Sequence, residues 1–305
     1  MMKQEIKIED ILKFENLELL AKHVVEGFIT GLHRSPYHGF SVEFAEHRQY
    51  NLGESTRHID WKLYSKTDKL FVKNFDEETN LRCYLLVDCS SSMNYPEETL
   101  GKLSFSFLAA AAIAKLLQKQ RDAVSLTLFS DDIEYQSSCK STNLHFKQLI
   151  DTMNVFLNER KKEKRTQLAS SLEKIALVAH KRSLIVIFSD MFENSENLDQ
   201  IFKSLQHLRH QKHEIIIFHV FEKETEMELY FKEQMIEFID TETGEKVKLS
   251  PSQVKKEYAE NFLNYTKTIH QKCQQFKIDF VPADINSGFE KILFEFLSKR
   301  AGTIK

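Results

Sequence analysis

The sequence predicts an α/β fold with a doubly wound, mostly parallel β-sheet, because strand-like apolar runs alternate along the chain with helical patterns. Helical crossovers between successive strands require parallel pairing, with helices on both faces of the sheet. The predicted strands are Tyr84–Val87, Val124–Phe129, Leu184–Phe188, Ile215–Phe221 and Ile278–Val281, with 133–135 as a weaker edge strand. The predicted helices are Glu97–Gln120, Leu144–Glu159, Leu168–Lys181, Glu196–His210, Gln253–Phe276 and Phe289–Arg300.

The first quarter of the chain has a different pattern. One helical stretch is followed, from Phe40 to Asp76, by a dense segment of polar and aromatic residues. We therefore predict that residues 1–78 form an N-terminal appendage and that residues 79–305 form the sheet domain.

Composition excludes several classes of protein. A formal net charge of −3 over 305 residues argues against general nucleic-acid binding, which needs a broad basic surface. The longest apolar stretch, FLAAAAIAKLL from Phe107, is too short for a membrane span and contains Lys115. The N-terminus has scattered acids and lacks the apolar core of a secretory leader, and the four cysteines contain no CxxC pair. A cytoplasmic protein with reduced thiols is expected.

Oxygen-bearing side chains follow two of the predicted strands. Asp88, Ser90 and Ser92 form a D-x-S-x-S pattern after the first strand, and Asp190 follows the LIVIF strand. Thr166 lies between these segments, just ahead of a helix. Parallel sheets bind ligands at the carboxyl ends of strands where strand order reverses, so these five side chains are expected to meet there. Hydroxyls with one or two carboxylates suit Mg²⁺ or Mn²⁺.

A metal held mostly by hydroxyls remains electropositive and is expected to seek a carboxylate from a partner protein. Two alternatives stay open at this point. Asp88 and its serines could be only the N-cap of the following helix. The protein could also be a Mg²⁺-dependent phosphohydrolase with Asp88 as nucleophile, although the sequence has no D-x-D pair, no G-x-S-x-G elbow and no phosphate-binding G-x-x-x-x-G-K-[ST] loop.

The ordered set Asp88-x-Ser90-x-Ser92, Thr166 and Asp190 resembles the metal-ion-dependent adhesion site of von Willebrand factor A domains. The segment EHRQYNLGESTRHIDWKLYSKTDKLFVKNFDEE resembles the signature of a von Willebrand A relative, the bacterial domain-of-unknown-function 58 family. The signature residues are Arg48, Tyr50, Gly53, Arg57, Asp60 and Trp61. The stretch EFIDTETGEKVKLSP resembles that family's insertion after the fifth strand, which implies a β-hairpin near 227–250.

This resemblance implies a non-enzymatic binding module that works with a MoxR-type AAA+ ATPase in chaperone-like assembly or maturation of other proteins. The basic run RKKEKR immediately before Thr166 is a candidate contact for an acidic client loop. Its proposed partner-binding residues are Lys161, Lys162, Lys164 and Arg165.

Overall fold

The computed structural model describes most of the chain, namely residues 17–32, 47–49, 64, 65, 67, 70–73, 81–97, 101–158, 166–192, 195–231, 235–239 and 246–303. Its helices are α1 (Leu17–Leu32), α2 (Gly101–Lys119), α3 (Asn143–Asn158), α4 (Leu168–Val178), α5 (Ser195–His210), α6 (Pro251–Gln275) and α7 (Glu290–Thr303). Its strands are β1 (His47–Gln49), β2 (Phe71–Lys73), β3 (Arg82–Asp88), β4 (Ala123–Phe129), β5 (Ile133–Gln136), β6 (Leu184–Ser189), β7 (Glu214–Phe221), β8 (Ile236–Ile239), β9 (Lys246–Leu249) and β10 (Asp279–Asp284).

The main sheet has six strands in the described part of the chain, in the order β10-β7-β6-β3-β4-β5. All neighbouring pairs are parallel except β4–β5, in which the short edge strand runs antiparallel. The order reverses at β3, the first of these strands in the chain, because β4 lies on one side of it and β6 on the other. This topology confirms the predicted doubly wound α/β fold.

Helices cover both faces of the sheet because successive strand residues point to opposite sides. On one face, Tyr84, Leu86, Ile185, Ile187 and Ile217 belong to a core cluster that also includes buried residues of α4, α5 and α6. Helix α2 packs against β3 and β4 and contacts α3 and α7. Its long buried run continues through the alanines that follow Phe107. Strands covered on both faces read as continuous apolar runs, which explains why the sequence marks them clearly.

The chain divides into two units, one of residues 1–29 and 81–305 and one of residues 30–80. Helix α1 begins in the unit that contains the main sheet, whereas the predicted boundary placed all of residues 1–78 in the appendage. One stripe of α1, formed by Leu17, Leu20, Ala21 and Val25, is buried. Within residues 30–80, β1 and β2 pair antiparallel. Of the signature residues, Arg48 lies in β1, and Tyr50, Gly53, Arg57, Asp60 and Trp61 lie outside the described residues.

The later insertion contains a hairpin. Strands β8 and β9 pair antiparallel with Ile236 opposite Leu249, inside the predicted 227–250 segment. Among the described residues, no helix combines the length and apolar character needed to cross a membrane.

His213, just before β7, is buried at the opposite end of the sheet from the strand ends discussed below. Its Nδ1 accepts a hydrogen bond from the backbone N–H of Ser183 at 3.3 Å, and its Nε2 lies 3.2 Å from Gln211 Oε1. Burial lowers the pKa of His213 from its ordinary value of 6.5. The folded protein therefore favours the neutral ring, and stability is lost as pH falls below 6.5, where the unfolded chain takes up the proton first.

We expect wild type to lose more stability between pH 8 and pH 5.5 than a His213→Gln variant, by on the order of 1 kcal/mol. Urea unfolding at the two pH values measures the difference. His210→Gln, an exposed position on α5, is the control and should behave as wild type. An equal loss in the His213→Gln variant would contradict the role assigned to this ring.

Candidate metal centre

The predicted site residues lie at the point where strand order reverses. Asp88 ends β3, and Asp190 directly follows β6. The two strands are parallel neighbours, with Val87 opposite Phe188. The two carboxylates therefore lie at the carboxyl ends of adjacent parallel strands, as the sequence predicted.

The loop after β3 places its hydroxyls beside the two aspartates, Ser90 at Asp88 and Ser92 at Asp190. The backbone N–H of Ser90 donates to Asp88 Oδ1 at 2.9 Å, and the hydroxyls of Ser90 and Ser92 are 3.1 Å apart. Asp88 and Ser90 are fully buried, while Ser92 is half-buried. A short 3₁₀ helix, Ser91–Asn94, follows. The 3₁₀ helix and residues 95–97, which are not helical, separate this loop from α2, so the loop does not cap α2 and the alternative N-cap interpretation is wrong.

Thr166 comes from a separate part of the chain. Its Oγ1 lies 3.5 Å from Asp88 Oδ2, and it is half-buried. The next residue, Gln167, donates its backbone N–H to the carbonyl of Ser130 at 2.8 Å, which ties this loop to the end of β4. Ser189 Oγ also donates to Asp88 Oδ2, at 2.9 Å. Both carboxylate oxygens of Asp88 thus face donors from three segments of the chain.

The pKa values of the two aspartates are shifted in opposite directions. Burial, and secondly the nearby Asp190 carboxylate, raise the pKa of Asp88 to about 7. Burial also disfavours the charged form of Asp190, but the Lys102 ammonium outweighs it and holds the pKa of Asp190 below its ordinary value. Ser92 also hydrogen-bonds Asp190. Of the two aspartates, Asp88 is therefore the one whose charge the surrounding protein groups compensate less.

Sequence reasoning missed two members of this cluster, Lys102 and Glu226. Lys102 Nζ lies 2.9 Å from Asp190 Oδ2 and 2.5 Å from Glu226 Oε1. The lysine is 1% exposed and the glutamate side chain 16%. Burial opposes the charge on Lys102, yet both acids raise its pKa. A lysine within the first turn of a buried, apolar helix was the available signal, since buried charges are normally paired. For Glu226 no local signal existed.

The donor set fits a small hard cation. It offers the hydroxyls of Ser90, Ser92 and Thr166 beside two buried carboxylates, and Mg²⁺ binds oxygen donors with few protein charges. Among the described residues, no group of three or more His, Cys, Asp or Glu side chains is placed to hold a metal.

His219 on β7 is a second polar residue that the sequence did not indicate. It is fully buried, and its ring stacks on Phe221 and Phe280 with centroids 5.4 Å away in both cases. Burial lowers the pKa of His219 to about 4. The ring also borders Asp190 and Lys102, and it has no surface exposed to solvent.

The proposed partner-binding residues are not among the described residues. Lys161, Lys162, Lys164 and Arg165 lie outside the described residues, directly before Thr166 in the chain. The five proposed metal ligands all lie within them.

Comparisons with known proteins agree with the sequence signature. An uncharacterized protein of Mycobacterium tuberculosis is 31% identical over 100 residues, which are 33% of this chain and 32% of that protein, and one of Mycobacterium bovis matches equally. The chain thus aligns with about a third of the length of these curated relatives.

Solved structures give distant likenesses. The conserved hypothetical protein BatB from Bacteroides thetaiotaomicron has a TM-score of 0.47 at 12% identity, over 73% of this chain and 99% of that one. The SpRpn10 VWA domain has a TM-score of 0.39 at 13% identity, over 72% and 95%. Residues 46–268 match the family described as "Protein of unknown function DUF58", and the chain belongs to that family.

Proposed function

We propose that this protein is a metal-dependent protein-binding module that uses Mg²⁺ or Mn²⁺ to capture a carboxylate of another protein. The observation that carries the proposal is the meeting of Asp88, Asp190 and three hydroxyls at the reversal point of the sheet. The carboxylate of Asp88 is fully buried and raised in pKa, so a cation placed among these oxygens would stabilise its charge.

Each residue of the site has a proposed role. The hydroxyls of Ser90, Ser92 and Thr166 would bind the cation directly, because they are neutral donors that leave its charge available. Asp88 and Asp190 would hold it directly or through water. Ser189 and the Ser90 backbone orient Asp88 by their hydrogen bonds. The cation would supply a Lewis-acidic position for the partner's Glu or Asp. Ser92 and Thr166 are half-buried, which leaves a solvent-facing side for that approach.

The binding function is favoured over the phosphohydrolase alternative by the surroundings of Asp88. A nucleophilic carboxylate needs an oxygen free to attack a phosphorus atom. Asp88 is 0% exposed, and both its oxygens accept hydrogen bonds from neighbouring groups. His219 has no surface exposed to solvent. We therefore propose that the protein is not an enzyme.

We further propose that the partner is a MoxR-type AAA+ ATPase, or a client presenting an acidic loop, in the cytoplasm. Family membership and the resemblance of the site to an adhesion site support this proposal. The basic run 160–165 adjoins Thr166 in sequence and would attract an acidic loop at long range.

Isothermal calorimetry tests the metal site. Wild type should bind Mg²⁺ or Mn²⁺, and an Asp88→Ala, Ser90→Ala double variant should bind at least about tenfold more weakly, because a carboxylate and a hydroxyl are lost together. An Asp199→Ala, Ser204→Ala double variant on α5, which removes the same two chemical groups elsewhere, is the control.

Equal affinity in wild type and the Asp88→Ala, Ser90→Ala variant would exclude the assignment. The same wild-type protein with Mg²⁺ and p-nitrophenyl phosphate should release no product. Turnover that disappears in the double variant would favour the phosphohydrolase instead.

A further inference from the structure

Lys102 occupies an unusual position beside the candidate metal centre. Its ammonium bonds Asp190, one of the five proposed ligands, and at the same time bonds Glu226. The ring of Phe192, two residues beyond Asp190, lies over the ammonium at 5.7 Å from Nζ to the ring centroid. With 1% exposure, Lys102 cannot exchange either carboxylate for bulk water.

The second carboxylate is held in place by its own segment. Glu226 lies in the π-helical turn Lys223–Met227 that follows β7. Its Oε2 accepts the backbone N–H of Glu222 at 2.7 Å, which leaves Oε1 for Lys102. Glu222 in turn accepts from Asn286 Nδ2 at 2.7 Å. Glu226 is thus a fixed second acceptor for the lysine, independent of Asp190.

The metal ion and Lys102 would be alternative counter-ions for the same carboxylate. A divalent cation near Asp190 places positive charge beside an ammonium in a buried site, where repulsion is poorly screened. The lysine cannot leave, but it can keep its bond to Glu226 while Asp190 turns toward the cation. Asp190 Oδ1 already lies within 3.4 Å of the backbone N–H of Phe192, so its two oxygens have different partners.

We propose that Lys102 is a tethered counter-ion that competes with the divalent cation for Asp190, and that Glu226 sets the affinity of the site by holding the lysine when Asp190 releases it. This inference rests on the proposed metal-binding function and names its regulation. Lys102 and Glu226 are positioning residues, since neither is a proposed ligand. The site therefore binds the cation less tightly than its oxygen donors alone would allow.

Calorimetry with Mn²⁺ and Mg²⁺ on the full chain tests the competition. Lys102→Met should bind the metal about tenfold or more tightly than wild type, because Asp190 loses its competing cation. Glu226→Gln should bind more weakly, because the lysine then has Asp190 as its charged partner. Lys115→Met, on the same helix with its ammonium over the Phe146 ring, is the control and should match wild type.

The Lys102→Met, Glu226→Gln double variant separates competition from total charge. The double variant has the same net charge as wild type. If only the summed charge near the site mattered, it would bind the metal with wild-type affinity. If Lys102 competes for Asp190, the double variant should bind the metal more tightly. It also removes the excess buried acid that could prevent Lys102→Met from folding. Wild-type affinity in the double variant, or weaker binding in Lys102→Met, would overturn the inference.

The outcomes also distinguish this inference from the proposed function. Metal binding by wild type without any gain in the lysine variants would leave the function standing and remove the role of Lys102. Binding by Lys102→Met but not by wild type would support a lysine that outcompetes the cation. If none of the proteins bound metal, the metal-dependent function and the inference would both be wrong.

Discussion

Replacing Asp88 by Asn should stabilise the protein in the presence of a chelator and abolish its stabilisation by Mg²⁺. The Asp88 carboxylate is fully buried beside a second acid, and Lys102 bonds Asp190 and Glu226 rather than Asp88. A neutral side chain of the same shape removes the cost of burying that charge and retains an oxygen for the Ser90 N–H. Burial raises the pKa of Asp88 from 3.8 to about 7, and each raised unit costs about 1.4 kcal/mol when the group is charged, so the expected gain is on the order of a few kcal/mol.

Thermal and urea unfolding in EDTA, and again in millimolar Mg²⁺, measure the two effects. Wild type should gain stability on adding Mg²⁺ as mass action requires, and Asp88→Asn should not. Asp122→Asn is a matched control, because Asp122 is also buried but accepts the backbone N–H of Leu81, before β3, at 3.1 Å. That variant should keep the response to Mg²⁺. A large loss of stability for Asp88→Asn in EDTA would show that the bonds to Ser189 and Thr166 need the charge.

A single hydroxyl should govern how long a partner stays bound. Thr166→Val keeps the shape of the side chain and removes the oxygen that lies 3.5 Å from Asp88. If the cation bridges to a partner's carboxylate, the loss of this ligand should shorten the lifetime of the complex with little change in melting temperature, because the core is built from buried strands and α2.

The expected size follows from what groups around a metal contribute. Removing even a group that only orients a metal ligand costs about 10–100-fold in metal affinity, so the lifetime should shorten about tenfold or more. Surface-based kinetics with a MoxR-type ATPase or an acidic client measures it, with EDTA as a parallel treatment. Thr152→Val on α3, where the hydroxyl donates to the Gln148 carbonyl, is the control. If neither EDTA nor Thr166→Val changed the lifetime of the complex, the contact would not be bridged by a metal.

The basic run is expected to act on a different step. Changing Lys161, Lys162 and Lys164 to Gln should slow association, most strongly at low salt, and leave the lifetime nearly unchanged. Rim charges mainly steer encounter, whereas desolvated contacts control dissociation.

Much of the fold was predictable because strands that are buried on both faces of the sheet appear in the sequence as runs of apolar residues. The strands β3, β4, β6 and β7 are mainly apolar runs, and the structure moves their predicted ends by only a residue or two. The predicted start of α2 at Glu97 was less accurate, because Glu97 lies in a turn ahead of the helix, and an acidic, proline-containing segment resembles a helix start whether or not the helix begins there.

The meeting of Asp88 and Asp190 was also predictable from sequence, for a topological reason. In a parallel sheet the residue after each strand must emerge at the same edge, so Asp88 and Asp190 needed only adjacent strands to meet. The D-x-S-x-S spacing supplied the hydroxyls.

The sequence by itself determined the strands, the strand-end oxygens and the family signature, because each is a local pattern. Only the tertiary structure decided how the charges are paired. Lys102 meets an acid 88 residues away and another 124 residues away. Contacts at such separations depend on how α2, β6 and the turn after β7 pack around the sheet. The partners of a buried ion pair have no fixed spacing along the chain, so the sequence alone does not reveal them.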